Sequence, residues 1–179
     1  MIIPLDLEHL PDVNRANEPF MVIGRLLPTY VDGKWSWREE LLPEPWEKRY
    51  ADDEEDYRTY VDSSDRVIFL DYEDGTCAGQ IILRRDWNYY AFVEDISVAA
   101  AYRGKGVGTQ LMERAKAWAR EKSLGGLALE TQDNNLLACR FYQKCGMEIG
   151  AVNSMLYKNA PKPWCDEIAI FWYLKFDQK

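Results

Sequence analysis

The sequence predicts an α/β (α+β) layer fold: a single mixed, mostly antiparallel twisted sheet of about seven strands flanked by helices. Three observations carry that expectation. Two hairpin signals, Asp32-Gly33 and Glu73-Asp74-Gly75, each separate apolar or aromatic runs. Two helical patterns, at 109–122 and from the Asp133–Asn135 caps to Lys144, each follow a short apolar run. Two strand-like segments then close the chain. Hairpins first, followed by strand–loop–helix, strand–helix and two last strands, give a sheet with helices on both sides.

Taken in order, Met1–Val13 has apolar residues but no clean period. Phe20–Tyr30 reads as a strand and Lys34–Leu42 as its return, with Trp35 and Trp37 on one face; Pro43 and Pro45 then break the chain. Trp46, Tyr50, Tyr57 and Tyr60 flank the acidic run 52–56 at roughly helical spacing. That run reads as a solvated face or as one wall of a cationic pocket with aromatic sides. Val67–Tyr72 and Thr76–Arg85 form the second hairpin, and Tyr89–Val98 is a further strand. The helix after it buries Leu111, Ala115, Trp118 and Ala119 and turns Glu113, Lys116 and Arg120 outward. Gly125-Gly126 ends that helix, and Leu127–Thr131 is a short buried strand. In the second helix Leu137, Phe141 and Cys145 share an apolar stripe, and Gly146 supplies the stop. Met147–Tyr157 and Ile168–Phe176 are the closing strands, with Pro161, Pro163 and Trp164 between them. No repeat, low-complexity tract or linker interrupts residues 1–179, which read as one domain.

Charge is uneven: the net is −8, with −11 in residues 1–75 and +3 in the rest. An acidic chain makes nucleic acid an unexpected partner, and the acidic half suits a cationic small molecule. No apolar run approaches a membrane span, and Met1–Leu10 lacks the basic residues of a secretory signal, so no membrane partner is expected. The four cysteines form no C-x-x-C pair and read as reduced thiols of a cytoplasmic protein. His9 is the single histidine, which argues against a Ser-His-Asp site and against a His-based metal site; no metal is expected.

The stretch Arg103-Gly104-Lys105-Gly106-Val107-Gly108 stands between an apolar strand and a helix start. Glycines let the backbone approach a ligand, while free N–H groups and the helix dipole attract negative charge. Arg103 and Lys105 add mobile positive charge. A phosphate-bearing ligand is the functional reading, a plain turn the alternative. The spacing fits neither a P-loop nor the G-x-G-x-x-G dinucleotide fingerprint.

Two adjacent carboxylates, Glu94 and Asp95, interrupt an otherwise apolar strand. Such a pair costs desolvation energy unless it is used or paired. It could take a proton from an amine nucleophile, or it could pair with Arg84 or Arg85 on the neighbouring strand.

Arg103-x-x-Gly106-x-Gly108 resembles the pyrophosphate-binding loop of the GCN5-related N-acetyltransferases, the GNAT family. Asn135, Ala138, Tyr142 and Gly146 match that family's second motif, Asn-x-x-Ala-x-x-x-Tyr-x-x-x-Gly-Phe, with Met147 in place of its phenylalanine. The element order matches as well. By this resemblance the co-substrate is acetyl-CoA, held by Arg103–Gly108 and Thr109, with Asn135 and Ala138 along its pantetheine arm. Tyr142 would protonate the departing thiolate. A bulge would splay Glu94 and Asp95, and backbone N–H groups of Ile96, Ser97 and Val98 would serve the developing oxyanion. Val93-Glu94-Asp95 resembles polyamine-type members, so Glu94 is expected as the base and Asp95 as the substrate anchor. Cys139 and Cys145 are not expected to carry acyl groups.

Within the family the chain is similar to the streptothricin acetyltransferases. The resemblance lies in Arg103–Val107, Leu129–Gln132, Asn134-Asn135, Ala138-Cys139, Tyr142-x-Lys144-Cys145-Gly146, the tract 52–56, Trp87-Asn88 and Glu167–Tyr173. It covers most of the chain after about residue 45. It implies acetylation of the β-lysine moiety of streptothricin, with a polyamine, an aminoglycoside, a protein amine or a non-catalytic acetyl-CoA sensor as alternatives. Many relatives form a homodimer through the last strands. Phe171-Trp172-Tyr173 would serve that contact or the core.

Overall fold

In the computed structural model, which describes residues 1–52 and 54–177, both predicted hairpin turns form. Asp32 and Gly33 take φ of 50° and 78°, and Asp74 and Gly75 take 49° and 78°. Paired positive values are those of a type I′ turn, whose twist matches the strands it joins. The strands are β1 (Ile2–Pro4), β2 (Phe20–Val31), β3 (Lys34–Lys48), β4 (Arg66–Glu73), β5 (Thr76–Arg85), β6 (Ala91–Val98), β7 (Gly126–Gln132), β8 (Glu148–Asn153) and β9 (Ala169–Lys175). Among the described residues two α-helices complete the set: α1 (Val107–Glu121) and α2 (Leu136–Lys144).

The chain divides into two compact units. The first comprises Met1–Phe20, Arg49–Leu127 and the stretch from Lys175. Its strands run in the order β1-β4-β5-β6, antiparallel throughout. Helix α1 packs on β4, β5 and β6 through Val107, Leu111, Met112, Ala115, Trp118 and Ala119, all buried. Gly79 on β5 permits that approach: a Cβ there would lie 2.9 Å from Val107 and 3.0 Å from Leu111. The second unit comprises Met21–Lys48 and Ala128–Leu174. It holds β9 between β7 and β8, and the β2–β3 ribbon. Its core includes Val22, Leu26, Leu129, Leu136, Ile149, Ile170 and Trp172.

Several expectations are corrected. Strand β1 was not legible, because three residues form a strand only against β4, with Ile3 opposite Leu70. Pro43 and Pro45 do not break the return strand, which runs on to Lys48. Two residues apart, they withhold N–H groups from one side only, and a two-stranded ribbon has an unpaired side. The described residues of 46–61 form no α-helix: Trp46 lies in β3, and Tyr57–Tyr60 is a single 3₁₀ turn. The described residues of the acidic run are exposed, as a solvated face would be, and carry local pairings besides: Asp52 with Arg49, Glu55 with Arg66, and Asp56 as the cap of the 3₁₀ turn. Asp53 lies outside the described residues. Helix α1 begins two residues earlier than predicted and ends at Glu121; Ser123, just past the Lys122 cap, has φ of 55° and takes the part expected of glycine. The buried face of α2 is Leu136, Cys139 and Tyr142, whereas Leu137 is exposed and Phe141 and Cys145 are half-buried. Trp172 of the aromatic tail is fully buried within its unit.

Candidate active site

The glycine loop meets the geometric demands of an anion site. Gly104 and Gly106 have φ of 74° and 96°, and a Cβ added at either would meet no atom within 4 Å. Gly106 is the N-cap of α1 and brings no capping side chain. The first helical bond runs from Gln110 N–H to the Gly106 carbonyl at 3.0 Å. The N–H groups of Val107, Gly108 and Thr109 therefore precede the helical ladder, at the positive end of the dipole. These backbone donors beneath open space fit a pyrophosphate group such as that of acetyl-CoA.

Arg103 is not a mobile charge. Its Nε donates to the Val98 carbonyl at 2.9 Å, its Nη1 to Pro19 at 2.7 Å and its Nη2 to Glu18 at 3.1 Å. The Glu18 carboxylate in turn accepts from Ala100 N–H at 2.9 Å. Planar guanidinium donors suit such multiple main-chain binding, so Arg103 fixes the loop against residues 18–19. Lys105 extends over the Tyr102 ring, 5.6 Å from its centroid.

The expected bulge is present in β6. Ile82 lies opposite Asp95 and Leu83 opposite Val93, so Glu94 is the extra residue of the strand. The two carboxylates have unlike surroundings. Glu94 is exposed; its Oε1 lies 2.9 Å from Arg84 Nε, and its Oε2 accepts from the Tyr60 hydroxyl at 2.9 Å. The pairing with Arg84 anticipated from sequence therefore forms. Asp95 Oδ2 accepts from Gln80 Nε2 at 2.7 Å and from Ser97 Oγ at 3.2 Å. Gln80 is fully buried and closes a second link, its Oε1 accepting from Asn14 N–H at 2.7 Å. Ile96, Ser97 and Val98 follow in register with Ile81, Gln80 and Gly79.

In the second unit Asn135 caps α2, its Oδ1 accepting from Ala138 N–H at 3.2 Å. Tyr142 is buried, its ring 5.6 Å from Phe141 and 6.2 Å from Trp172. Gly146 has φ of 83° and stops the helix as predicted. The residues before the cap are engaged by side chains far away in sequence. Asp133 pairs with Arg25 at 2.6 Å, and Asn134 shares the buried pair Lys48–Glu167, whose ends are 2.5 Å apart. Glu130 accepts from Tyr157 at 2.7 Å, and burial raises its carboxyl above the ordinary range.

Tyr60, Gln80, Asn14 and Glu18 are site-shaping residues that sequence reasoning missed. Tyr60 is 34 positions from Glu94 and Asn14 is 66 from Gln80, so no local pattern announces them. Among the described residues no cluster of three His, Cys, Asp or Glu side chains could hold a metal ion. No helix among them is long and apolar enough to cross a membrane.

A bulged strand bearing a carboxylate, followed by an open glycine loop that begins a helix, defines a candidate acyl-CoA-dependent transferase. Residues 33–147 match the model of the Acetyltransferase (GNAT) family, and the chain belongs to that family. It is 47% identical over 176 residues to streptothricin acetyltransferase A of Bacillus subtilis, covering 98% of this chain and all of that one. The likeness thus runs through the N-terminal third, where the sequence resemblance was weakest. A Bacillus anthracis structure assigned as a streptothricin acetyltransferase, in complex with acetyl coenzyme A, superposes with a TM-score of 0.90. That protein is 37% identical, and the match covers 99% of this chain and 98% of that one. Nourseothricin acetyltransferase superposes with a TM-score of 0.81 at 26% identity, over 98% and 97% of the two chains. The fold is that of the GNAT acetyltransferases: a mixed sheet of seven strands with two helices.

Proposed function

We propose that residues 1–179 act as one acetyl-CoA-dependent N-acetyltransferase domain whose acceptor is a primary amine on the β-lysine moiety of streptothricin. The observation that carries this is the 47% identity to streptothricin acetyltransferase A over the whole of that relative. The exposed carboxylate of Glu94 and the acidic residues near it in unit one suit a cationic acceptor. Acetylation converts a charged amine to a neutral amide, which is how such an enzyme would confer resistance.

Bound acetyl-CoA supplies the acetyl thioester. The N–H groups of Val107, Gly108 and Thr109, with Gly104, Lys105 and Gly106, would hold its pyrophosphate, and Asn135 and Ala138 its pantetheine arm. Arg103 keeps that loop in shape. Asp95, fixed by Gln80 and Ser97, anchors the acceptor. Glu94 takes one proton from the acceptor ammonium, freeing the nitrogen lone pair to attack the acetyl carbonyl. N–H groups of Ile96, Ser97 or Val98 stabilise the charge that develops on the carbonyl oxygen. Tyr142 gives its proton to the departing sulfur, and the second proton shed by the acylated nitrogen, passed through solvent, restores the phenol, leaving a neutral amide and a neutral thiol.

The test is coenzyme A thiol release with streptothricin, spermidine, an aminoglycoside and a lysine peptide in parallel. Selective turnover of streptothricin is expected. Turnover of another amine alone would discard the substrate, and tight acetyl-CoA binding without turnover would favour a sensor. Glu94→Gln and Tyr142→Phe should each lower kcat about 100-fold with acetyl-CoA affinity retained. Unchanged turnover in both variants would overturn the assigned roles.

A further inference from the structure

Tyr60 lies on the 3₁₀ turn Tyr57–Tyr60, its ring packed in an apolar cluster with Leu5, Ile68, Leu70 and Ile82. The residue is 3% exposed, yet its hydroxyl reaches two carboxylates. Glu94 Oε2 is 2.9 Å away and Glu55 Oε2 is 3.0 Å away. A phenol has one proton, so it donates to one of these groups at a time. Each carboxylate also has its own guanidinium on the other oxygen, Arg84 at 2.9 Å for Glu94 and Arg66 at 3.1 Å for Glu55. The two ends thus have matched electrostatics, and a proton can sit at either without stranding a charge. They differ in place: Glu94 is the extra residue of the bulge, its side chain 30% exposed, and Glu55 stands outside the strands, its side chain 39% exposed.

We propose that Tyr60 relays the proton that Glu94 removes from the acceptor amine to Glu55, and so to water. This rests on the reading of Glu94 as the base. Protonated Glu94 gives its O–H proton to the Tyr60 oxygen as the Tyr60 hydroxyl proton passes to Glu55. Glu94 returns to carboxylate, Tyr60 is again a neutral phenol, and Glu55 holds the proton until water takes it. No free phenolate forms at any stage. That agrees with burial and the two carboxylates holding the phenol well above the ordinary tyrosine range.

The experiment is multiple-turnover acetylation of streptothricin at saturating acetyl-CoA by each variant, at rising imidazole concentration. Tyr60→Phe keeps the packed ring and removes the hydroxyl. Its rate should fall about tenfold and recover as imidazole replaces the lost path, while wild-type protein shows no buffer dependence. Glu55→Gln, at the exposed end, should fall in the same direction and recover likewise. The double variant should be no slower than Tyr60→Phe alone. A wild-type rate in Tyr60→Phe, or a lowered rate indifferent to imidazole, overturns the relay. Glu94→Gln separates the two readings. Full activity there removes the base and the relay together. A slow Glu94→Gln beside an unaffected Tyr60→Phe keeps the base and removes the relay.

Discussion

The two helices begin in opposite ways. Helix α1 starts on a glycine in the left-handed region, with no side chain to cap it. Helix α2 starts on Asn135, whose side chain accepts from Ala138 N–H, and the two residues before it are held by Arg25, Lys48 and Glu167. Every helix must satisfy its first N–H groups. At α2 the chain supplies its own acceptor, the Asn135 side chain, and polar side chains from β2, β3 and the segment before β9 fix the residues in front of it. At α1 the chain leaves the donors to something else. An uncapped start on a well packed helix has the donors that an anionic ligand would use.

Breaking the α2 side of this contrast should cost the most stability. Lys48 and Glu167 are 3% and 4% exposed at their side chains, and removing one member of such a pair leaves a buried charge. Lys48→Met should destabilise by about 3 kcal/mol, lowering Tm by roughly 10 °C for a chain of this size. Adding Glu167→Gln should restore most of the loss, because two neutral groups need no partner charge. Thermal unfolding of the single and double variants checks this, and equal Tm values for the two would show that the charge was not the cause.

Breaking the α1 side should cost binding instead. Gly106→Asp sets a carboxylate where the pyrophosphate is expected. Acetyl-CoA affinity should fall about 100-fold, which corresponds to roughly 2.7 kcal/mol. Gly106→Ala imposes the left-handed strain, about 1–2 kcal/mol of stability, without the charge. The difference in acetyl-CoA Kd between these variants, measured by calorimetry, isolates the electrostatic part. Equal affinities would mean that the loop is only a turn.

The same contrast explains what was legible in the sequence. The start of α1 depends on local backbone chemistry, so Gly104 and Gly106 announced it within six residues. The cap at Asn135 was legible for the same reason, as were the Asp32-Gly33 and Asp74-Gly75 turns. The support behind α2 was not: Lys48 reaches Glu167 across 119 positions, and Pro43 and Pro45 hid the strand that carries it there. Likewise Glu94 was noticed because a carboxylate in an apolar strand is out of place, but its bulge came from family resemblance. Its pairing with Arg84 was one of the options read from the neighbouring strand, and its contact with Tyr60 came only from the fold. The phase of α2 was misread because Leu137 and Phe141 are as apolar as Leu136 and Cys139. Composition cannot choose between two apolar stripes offset by about one residue; packing does.

That phase carries the last and smallest effect. A cysteine in the first turns of a helix ordinarily has its thiol pKa lowered by the N–H groups. Cys139 is such a residue, yet burial, then the charge of Asp133, pushes its thiol up to about 12. At α2 the N-terminal field is already spent on Asn135, and desolvation wins. Cys139 should therefore resist thiol reagents at pH 8 in the folded protein, and Cys139→Ala should retain turnover, since no thiolate is present to carry an acyl group. The sign of the stability effect follows from the raised value. Folding keeps the thiol protonated, so its contribution is complete below the unfolded pKa near 9 and is lost as pH climbs toward 12. Between pH 8 and pH 10 the loss should be about 1 kcal/mol. Denaturant unfolding of wild-type protein and Cys139→Ala at both pH values measures it as a difference in slope. A parallel decline in the two proteins would place the thiol in a more polar setting and weaken the claim that α2, unlike α1, offers nothing to an anion.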